Sequence, residues 1–287
     1  MSRYIRFDWA MKRLLRDKAN FVVLEELISS LLGREVKILR MLESESNQAS
    51  ADSKQNRVDL LAEDKECSKF IVEVQNESEY AYFQRVLFGT SSLVLEYMKK
   101  GLGYEDVQKI YSINIVYFDL GDGDDYIYHG KTEFRGIHTE SLLNLSPFQR
   151  QKFGKEKVSE LFPEYYILKV NGFNKVAKTP IEEWLRFLKD ETIDENTRLP
   201  GLQRAREIMQ YDKMSREEQK LYDKHIDNIV VLRDNILTAR GEGHIEGRAE
   251  GRAEGLAEGR AQEKEEIASK MRAMGFDEAT IARIMGN

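Results

Sequence analysis

The chain has 287 residues, with 44 Lys and Arg against 50 Asp and Glu, a net charge of −6. A single cysteine excludes a disulfide framework and any multi-cysteine zinc site. Four scattered histidines form no HExxH pair, and no apolar run reaches the roughly 18–20 residues of a membrane helix. The opening MSRYIRFDWAMKRLL is basic but lacks the apolar stretch and small-residue cleavage site of a signal peptide. It reads as part of the mature protein, in a reducing, cytoplasmic compartment with no membrane partner.

Residues 1–42 carry nine Lys/Arg against five Asp/Glu, a local +4. Such an end suits nucleic acid, but it is more commonly a solvated helix face. Asn20 to Gly33 reads as a helix, with Phe21, Leu24, Leu27, Ile28, Leu31 and Leu32 on one stripe. Asn20 is its expected N-cap and Gly33 its stop. Glu26 points away from the stripe into water. Glu25 sits at its edge, where a carboxylate can reach into a site. EVKILRML is a strand, and ESESNQASADSKQN a polar loop. Two strand patterns follow, RVDLLAE and KFIVEVQ, then a long helix over about 78–100. YSINIVYFDL, YIYHG and EYYILKVN are further strands, with GDGDD read as a hairpin turn between the first two. From about 180 to 240 the pattern is helical. From Gly243 a four-residue repeat, GRAEGRAEGLAEGRA, leads into two short amphipathic helices around Gly275.

The two strands around DKECS form a hairpin that pairs residues whose numbers sum to 132. Val58, Leu60 and Ala62 then face Val74, Val72 and Phe70, a clean apolar face. On the other face Leu61 meets Ile71, Arg57 meets Gln75, and Asp59 meets Glu73. Opposed carboxylates have Cβ atoms about 5 Å apart and repel. A shared proton, a cation or Arg57 must compensate. Two acidic oxygens at that separation suit Mg²⁺, which prefers oxygen ligands and keeps several waters. Gln75, on the same side as Glu73, places an amide where it can orient a water. The competing reading is a solvent-facing strand with unpaired acids, which the flanking apolar residues disfavour.

An Asp followed about fourteen residues later by Glu-X-Lys-like residues resembles the PD-(D/E)XK nuclease pattern. More closely, RVDLLAED, FIVEVQNESEYAYFQRVLFGTSSLVLEY and KGLGYEDVQKIYSINIVYFDL resemble the recombination-promoting nuclease / putative transposase family of that superfamily. The Glu-Gly-Arg-Ala tail is similar to one that often ends its members. The resemblance covers about residues 4–175.

It implies an α/β fold: a restriction-endonuclease-like mixed β-sheet flanked by helices, followed by a helical C-terminal region. It also implies DNA as partner and DNA cleavage dependent on Mg²⁺, or Mn²⁺ in its place. Carried over, Asp59 and Glu73 are metal ligands, and Glu25 matches an acid that some members supply from the first helix. Gln75 takes the place of the superfamily's lysine and offers a dipole where lysine offers a charge. Arg57 balances the two acids. Arg85, on the following helix, contacts phosphate, pairs with the acids or is simply solvated.

The expected organisation is a nuclease-like domain over 1–178, a helical region over 179–240, the repeat over 241–262 as linker or helix, and a short helical hairpin over 263–287. A homo-oligomer through the repeat is expected. The competing function is a non-catalytic DNA-binding or self-assembling protein that retains the nuclease fold. Cys67 is a surface thiol, and DLGDGDD lacks the alternating acids of a calcium loop.

Overall fold

The computed structural model describes residues 4–42, 59–98 and 102–286. Arg57, Val58 and the polar loop fall outside them. The chain divides into two compact units, 1–227 and 228–287.

The first unit is built on a sheet of six strands: β1 (Ile38–Leu42), β2 (Leu60–Asp64), β3 (Lys69–Gln75), β4 (Ile110–Val116), β5 (Ile127–Gly130) and β6 (Glu164–Lys169), in the order β1-β2-β3-β4-β6-β5. The pairs β3/β4 and β4/β6 are parallel, and the outer pairs are antiparallel. This is the mixed sheet with flanking helices that the pattern implied.

The expected hairpin register holds: Leu60, Leu61, Ala62 and Glu63 pair with Val72, Ile71, Phe70 and Lys69. Its turn is built by Asp64, whose carboxylate accepts the amides of Glu66 (2.9 Å) and Ser68 (2.8 Å). Exposed Cys67 takes the left-handed conformation there, at φ 63°.

GDGDD, by contrast, does not close a hairpin. Both edges of β4 are taken by β3 and β6, so β5 adds antiparallel to the free edge of β6.

Helix α1 (Phe7–Arg13) and α2 (Phe21–Leu32) lie on the sheet face that carries Leu60, Ala62, Phe70, Val72 and Val74. Gly33 stops α2 in the left-handed conformation, at φ 67°. Asn20 precedes α2 without capping it; its amide donates to Leu14 O and its oxygen accepts from Arg204. The opposite face is covered by α3 (Tyr82–Tyr97), where Leu61, Ile71, Leu93 and Ile110 form a second apolar cluster. Both faces of β3 are therefore buried, and a carboxylate on it is removed from water.

After α4 (Pro147–Phe153) come α5 (Pro180–Asp190) and α6 (Pro200–Ile208), both packed on α2 within the first unit. Trp184, Leu185 and Leu188 of α5 and Leu202 and Ala205 of α6 join the same buried core as Val23, Leu24, Leu27 and Ile28 of α2. Close approach of α6 corrects the reading of Glu26. Its stem lies against Gly201, where any added Cβ would collide with it, so it is half-buried instead of solvated.

Helix α7 (Arg216–Ala273) runs without a break through the repeat, and α8 (Glu278–Met285) follows. The first of the two expected terminal helices is thus the end of α7. Gly275, at φ 90°, turns the chain, Asp277 caps α8, and Ile281 and Ala268 are buried in the second unit. No helix among the described residues is long and apolar enough to cross a membrane.

Candidate active site

The acidic end of the hairpin is where β2 stops pairing. The ladder ends at Leu60–Val72, and Asp59 sits one residue outside it. There its carboxylate takes over the role of a backbone acceptor: Asp59 Oδ2 accepts the amide of Val74 at 3.0 Å. That bond ties the side chain to β3 next to Glu73. The fold thus brings the two acids together as expected, although not as a ladder pair.

Glu73 points to the α3 face and is 7% exposed. Arg85 of α3 bridges it to Glu79, at 3.2 Å from Glu73 Oε2 and 2.7 Å from Glu79 Oε2. The aromatic ring of Tyr82 lies beneath the guanidinium, 5.6 Å away. Burial pushes the Glu73 carboxyl above the usual range; Arg85 opposes this and the charge of Asp59 adds to it. Burial likewise raises the Tyr82 phenol, which stays protonated and donates to Asn114 Oδ1 at 3.3 Å. Asn114 lies opposite Glu73 on β4.

Gln75, two residues on, is half-buried, and its amide has no hydrogen-bond partner among the described residues. Arg57 lies outside the described residues.

Glu25 is not part of the cluster. Its carboxylate accepts the amide of Ile38 at 2.9 Å and the ammonium of Lys37 at 3.2 Å, which fastens α2 to the start of β1. Its position at the edge of the apolar stripe is as expected, but β1 claims it first. Among the described residues no three Asp, Glu, His or Cys side chains form a group that could hold a metal. The donor set is therefore a pair. Two carboxylates fit a cation that keeps several of its waters, and Glu73 Oε1 has no hydrogen-bond partner among the described residues.

Two contributors were not found from the sequence. Lys12 of α1 places Nζ 3.1 Å from Asp59 Oδ1, and Arg16 donates to the Asp59 main-chain oxygen at 3.1 Å. Both belong to the basic N-terminal stretch that reads as a solvated face. Helix α1 is set in place by Asp8, one turn before Lys12. The buried Asp8 carboxylate accepts from Asn76, Arg6 and His225. Burial alone would raise its pKa, but these partners outweigh that and hold it well below the usual range. Asn76 directly follows Gln75, so one face of α1 grips both sides of the acidic end.

Searches against curated proteins and solved structures returned no significant match. The family model for the PD-(D/E)XK nuclease family transposase matches residues 5–235. That span takes in α1, the hairpin, α3, the whole sheet, and α5 and α6. The chain belongs to the PD-(D/E)XK nuclease family transposases.

Proposed function

We propose that the protein is a divalent-metal-dependent DNA endonuclease acting on mobile or recombining DNA, with Mg²⁺ as its ion and Mn²⁺ as a substitute. The observation that carries this reading is that Asp59, bonded to the Val74 amide, lies next to the buried Glu73. Neighbouring acids favour occupation by a cation, because it removes a repulsion that the burial of Glu73 magnifies. Asp59 and Glu73 would hold the ion. When bound, it supplies Lewis acidity toward a phosphate oxygen and a water of lowered pKa. Arg85 keeps Glu73 aimed at the site and stays positive beside it. Gln75, whose side-chain amide has no hydrogen-bond partner among the described residues, would orient a water there. Tyr82 and Asn114 form the floor under Glu73. The test is nicking of a supercoiled plasmid with Mg²⁺, with EDTA, and by Asp59→Ala. Cleavage that survives EDTA or the substitution would remove the assignment.

Self-association is assigned to the second unit. Val230, Val231, Leu237, Ile245 and Leu256 are exposed along α7. Each interior glycine of the repeat costs about 1 kcal/mol relative to Ala. Glu246, Glu250, Glu254 and Glu258 are successive i,i+4 neighbours, which destabilises a helix. An added Cβ at Gly243, Gly247, Gly251, Gly255 or Gly259 meets only open space, so packing within the chain does not require these glycines. A helix of this composition is favoured by a second helix beside it, and Arg rows of a second copy complement the Glu rows. Removing residues 241–287 is expected to weaken self-association in sedimentation while leaving nicking intact. An unchanged sedimentation coefficient, once corrected for mass, would count against this assignment, as would a strongly helical isolated repeat peptide.

A further inference from the structure

Among the described residues, three cations reach the acidic end of the hairpin, and they differ in what they are free to do. Arg85 is held by two carboxylates, Glu73 and Glu79, above the Tyr82 ring. Arg16 spends its contact on a main-chain oxygen. Lys12 makes one ion pair among the described residues, to Asp59 Oδ1, and its side chain is 52% exposed. Its backbone, however, is not free. The Asp8 network one turn earlier fixes α1 against Asn76, at the end of β3. A fixed helix therefore carries a long flexible stem whose ammonium ends at the site.

Among the described residues the carboxylates there outnumber the cations paired with them: Asp59 pairs with Lys12, Glu73 and Glu79 share Arg85, and Arg16 reaches only a main-chain oxygen. Burial magnifies the effect of the Glu73 charge. Phosphodiester cleavage adds negative charge on the phosphate oxygens as the transition state forms, and fixed positive charge lowers that barrier. Gln75 is neutral and cannot supply it. Arg85 is committed to the acids.

We propose that Lys12 is the lysine of this site: its ammonium, delivered from α1, supplies to the scissile phosphate the charge that Gln75 leaves out. This rests on the reading of the site as a metal-dependent nuclease. In the ion-free protein Lys12 neutralises Asp59. When Asp59 Oδ1 is given over to the divalent ion, like charge drives the ammonium off that oxygen. Lys12 is then free to reach a phosphate oxygen of the DNA. The same side chain thus guards the site when it is empty and acts on the substrate when it is filled.

The experiment compares wild type, Lys12→Gln, Lys12→Arg and the double variant Lys12→Gln/Gln75→Lys. It reads three quantities: plasmid nicking at saturating Mg²⁺, Mn²⁺ affinity without DNA by electron paramagnetic resonance, and the thermal midpoint. Lys12→Gln is expected to slow nicking by about 100-fold, the size seen when one charge-stabilising group is lost. Its Mn²⁺ affinity should equal or exceed that of wild type, because a competing cation has left Asp59. Lys12→Arg should keep part of the rate. The double variant should regain at least tenfold over Lys12→Gln, because the charge returns from β3. The thermal midpoint should barely move, since exposed ion pairs contribute little.

Nicking by Lys12→Gln at the wild-type rate overturns the proposal. So does weaker Mn²⁺ binding by Lys12→Gln combined with no rescue by Gln75→Lys, because Lys12 would then serve only to hold Asp59 in place. A wild type that fails to nick overturns the nuclease reading itself. The Mn²⁺ arm still decides Lys12 in that case: tighter binding by Lys12→Gln supports its competition for Asp59, and weaker binding refutes it.

Discussion

The hairpin of β2 and β3 carries acids and cations at both of its ends, on the same two strands, and the two ends are built to opposite purposes. At the turn end, Glu63 lies opposite Lys69 in the ladder, and both are almost fully buried. Lys69 pairs directly with Glu63, Arg40 of β1 adds a second contact at 3.1 Å, and the Lys69 ammonium also lies 4.7 Å from the Tyr97 ring. Burial alone would raise the Glu63 carboxyl, but Lys69 and Arg40 more than offset it and the pKa falls. At the other end burial raises the Glu73 carboxyl, the one arginine, shared with Glu79, does not offset it, and the charge of Asp59 adds to it.

One acid paired with two cations makes a clamp; among the described residues, three acids whose carboxylates are paired with only two cations make a site that favours added positive charge. Burial opposes ionisation at both ends, and the two ends differ in the countercharge set against it: two cations on one acid at the turn, one arginine shared by two acids at the other. A buried pair that is complete can stabilise only the structure around it, whereas an incomplete one stores a preference for an added cation.

The largest expected effect separates the ends by activity. Asp59→Ala or Glu73→Ala should reduce Mg²⁺-dependent nicking at least 1,000-fold, by analogy with the loss of other essential electrostatic groups. Glu63→Gln, at the turn, should leave the rate per folded molecule unchanged. Equal nicking by Asp59→Ala and wild type, or abolition of nicking in a folded Glu63→Gln, would erase the distinction.

How much of this was legible beforehand follows from the range of the interactions. The hairpin register and the neighbouring of Asp59 and Glu73 depend on residues within about fifteen positions, and alternating apolar residues specify them. The end of the ladder at Leu60 was not visible, because it depends on the Asp59 side chain replacing a backbone acceptor. Lys12 lies 47 positions before its partner, and only the docking of α1 joins them. Glu25 and Glu26 misled for a related reason. Periodicity tells which way a residue faces from its own helix, but not whether β1 or α6 will cover that face.

Stability should separate the ends next, and with opposite signs. Glu63→Gln leaves the buried Lys69 facing a weaker partner and should cost about 3 kcal/mol, in the range for breaking a buried pair. Glu73→Gln should raise the thermal midpoint in metal-free buffer at neutral pH, by about 2–4 °C for each kcal/mol of strain relieved. Mg²⁺ should raise the midpoint of wild type but not of Glu73→Gln. A lower midpoint for Glu73→Gln would mean that Arg85 already satisfies Glu73, and that the two ends are alike.

The pH dependence of those variants is a smaller effect and follows from the directions of the two shifts. Glu73 has a folded pKa above its unfolded value, so the native state binds the extra proton. Its ionisation weakens the fold as pH rises from about 4.3 through the raised value. The advantage of Glu73→Gln should therefore shrink as metal-free protein is acidified from pH 7. Glu63 has a lowered folded pKa. Its contribution is fully present above about pH 4.3 and is lost as pH falls through the folded value. Thermal melts of the two variants between pH 7 and pH 4 should show the Glu73→Gln difference closing first. Parallel closing would indicate that both carboxyls sit in the same electrostatic balance.

The smallest expected effect tests whether the acidic end is short of charge or short of one particular residue. Gln75→Lys adds an ammonium to β3 beside Glu73, at a half-buried position with no hydrogen bond to lose. If countercharge is what the site lacks, nicking should stay within about tenfold of wild type, or rise, since general electrostatic assistance is not tied to one side chain. The new lysine would also offset Glu73, so the ion-free protein should melt higher while Mg²⁺ shifts the midpoint less. Both changes would come from one charge and should be seen together. A folded Gln75→Lys protein that no longer nicks would show that the neutral amide is itself required, holding the water by a hydrogen bond that an ammonium cannot make in the same direction. The acidic end would then differ from the clamp by a specific water position and not by its charge balance.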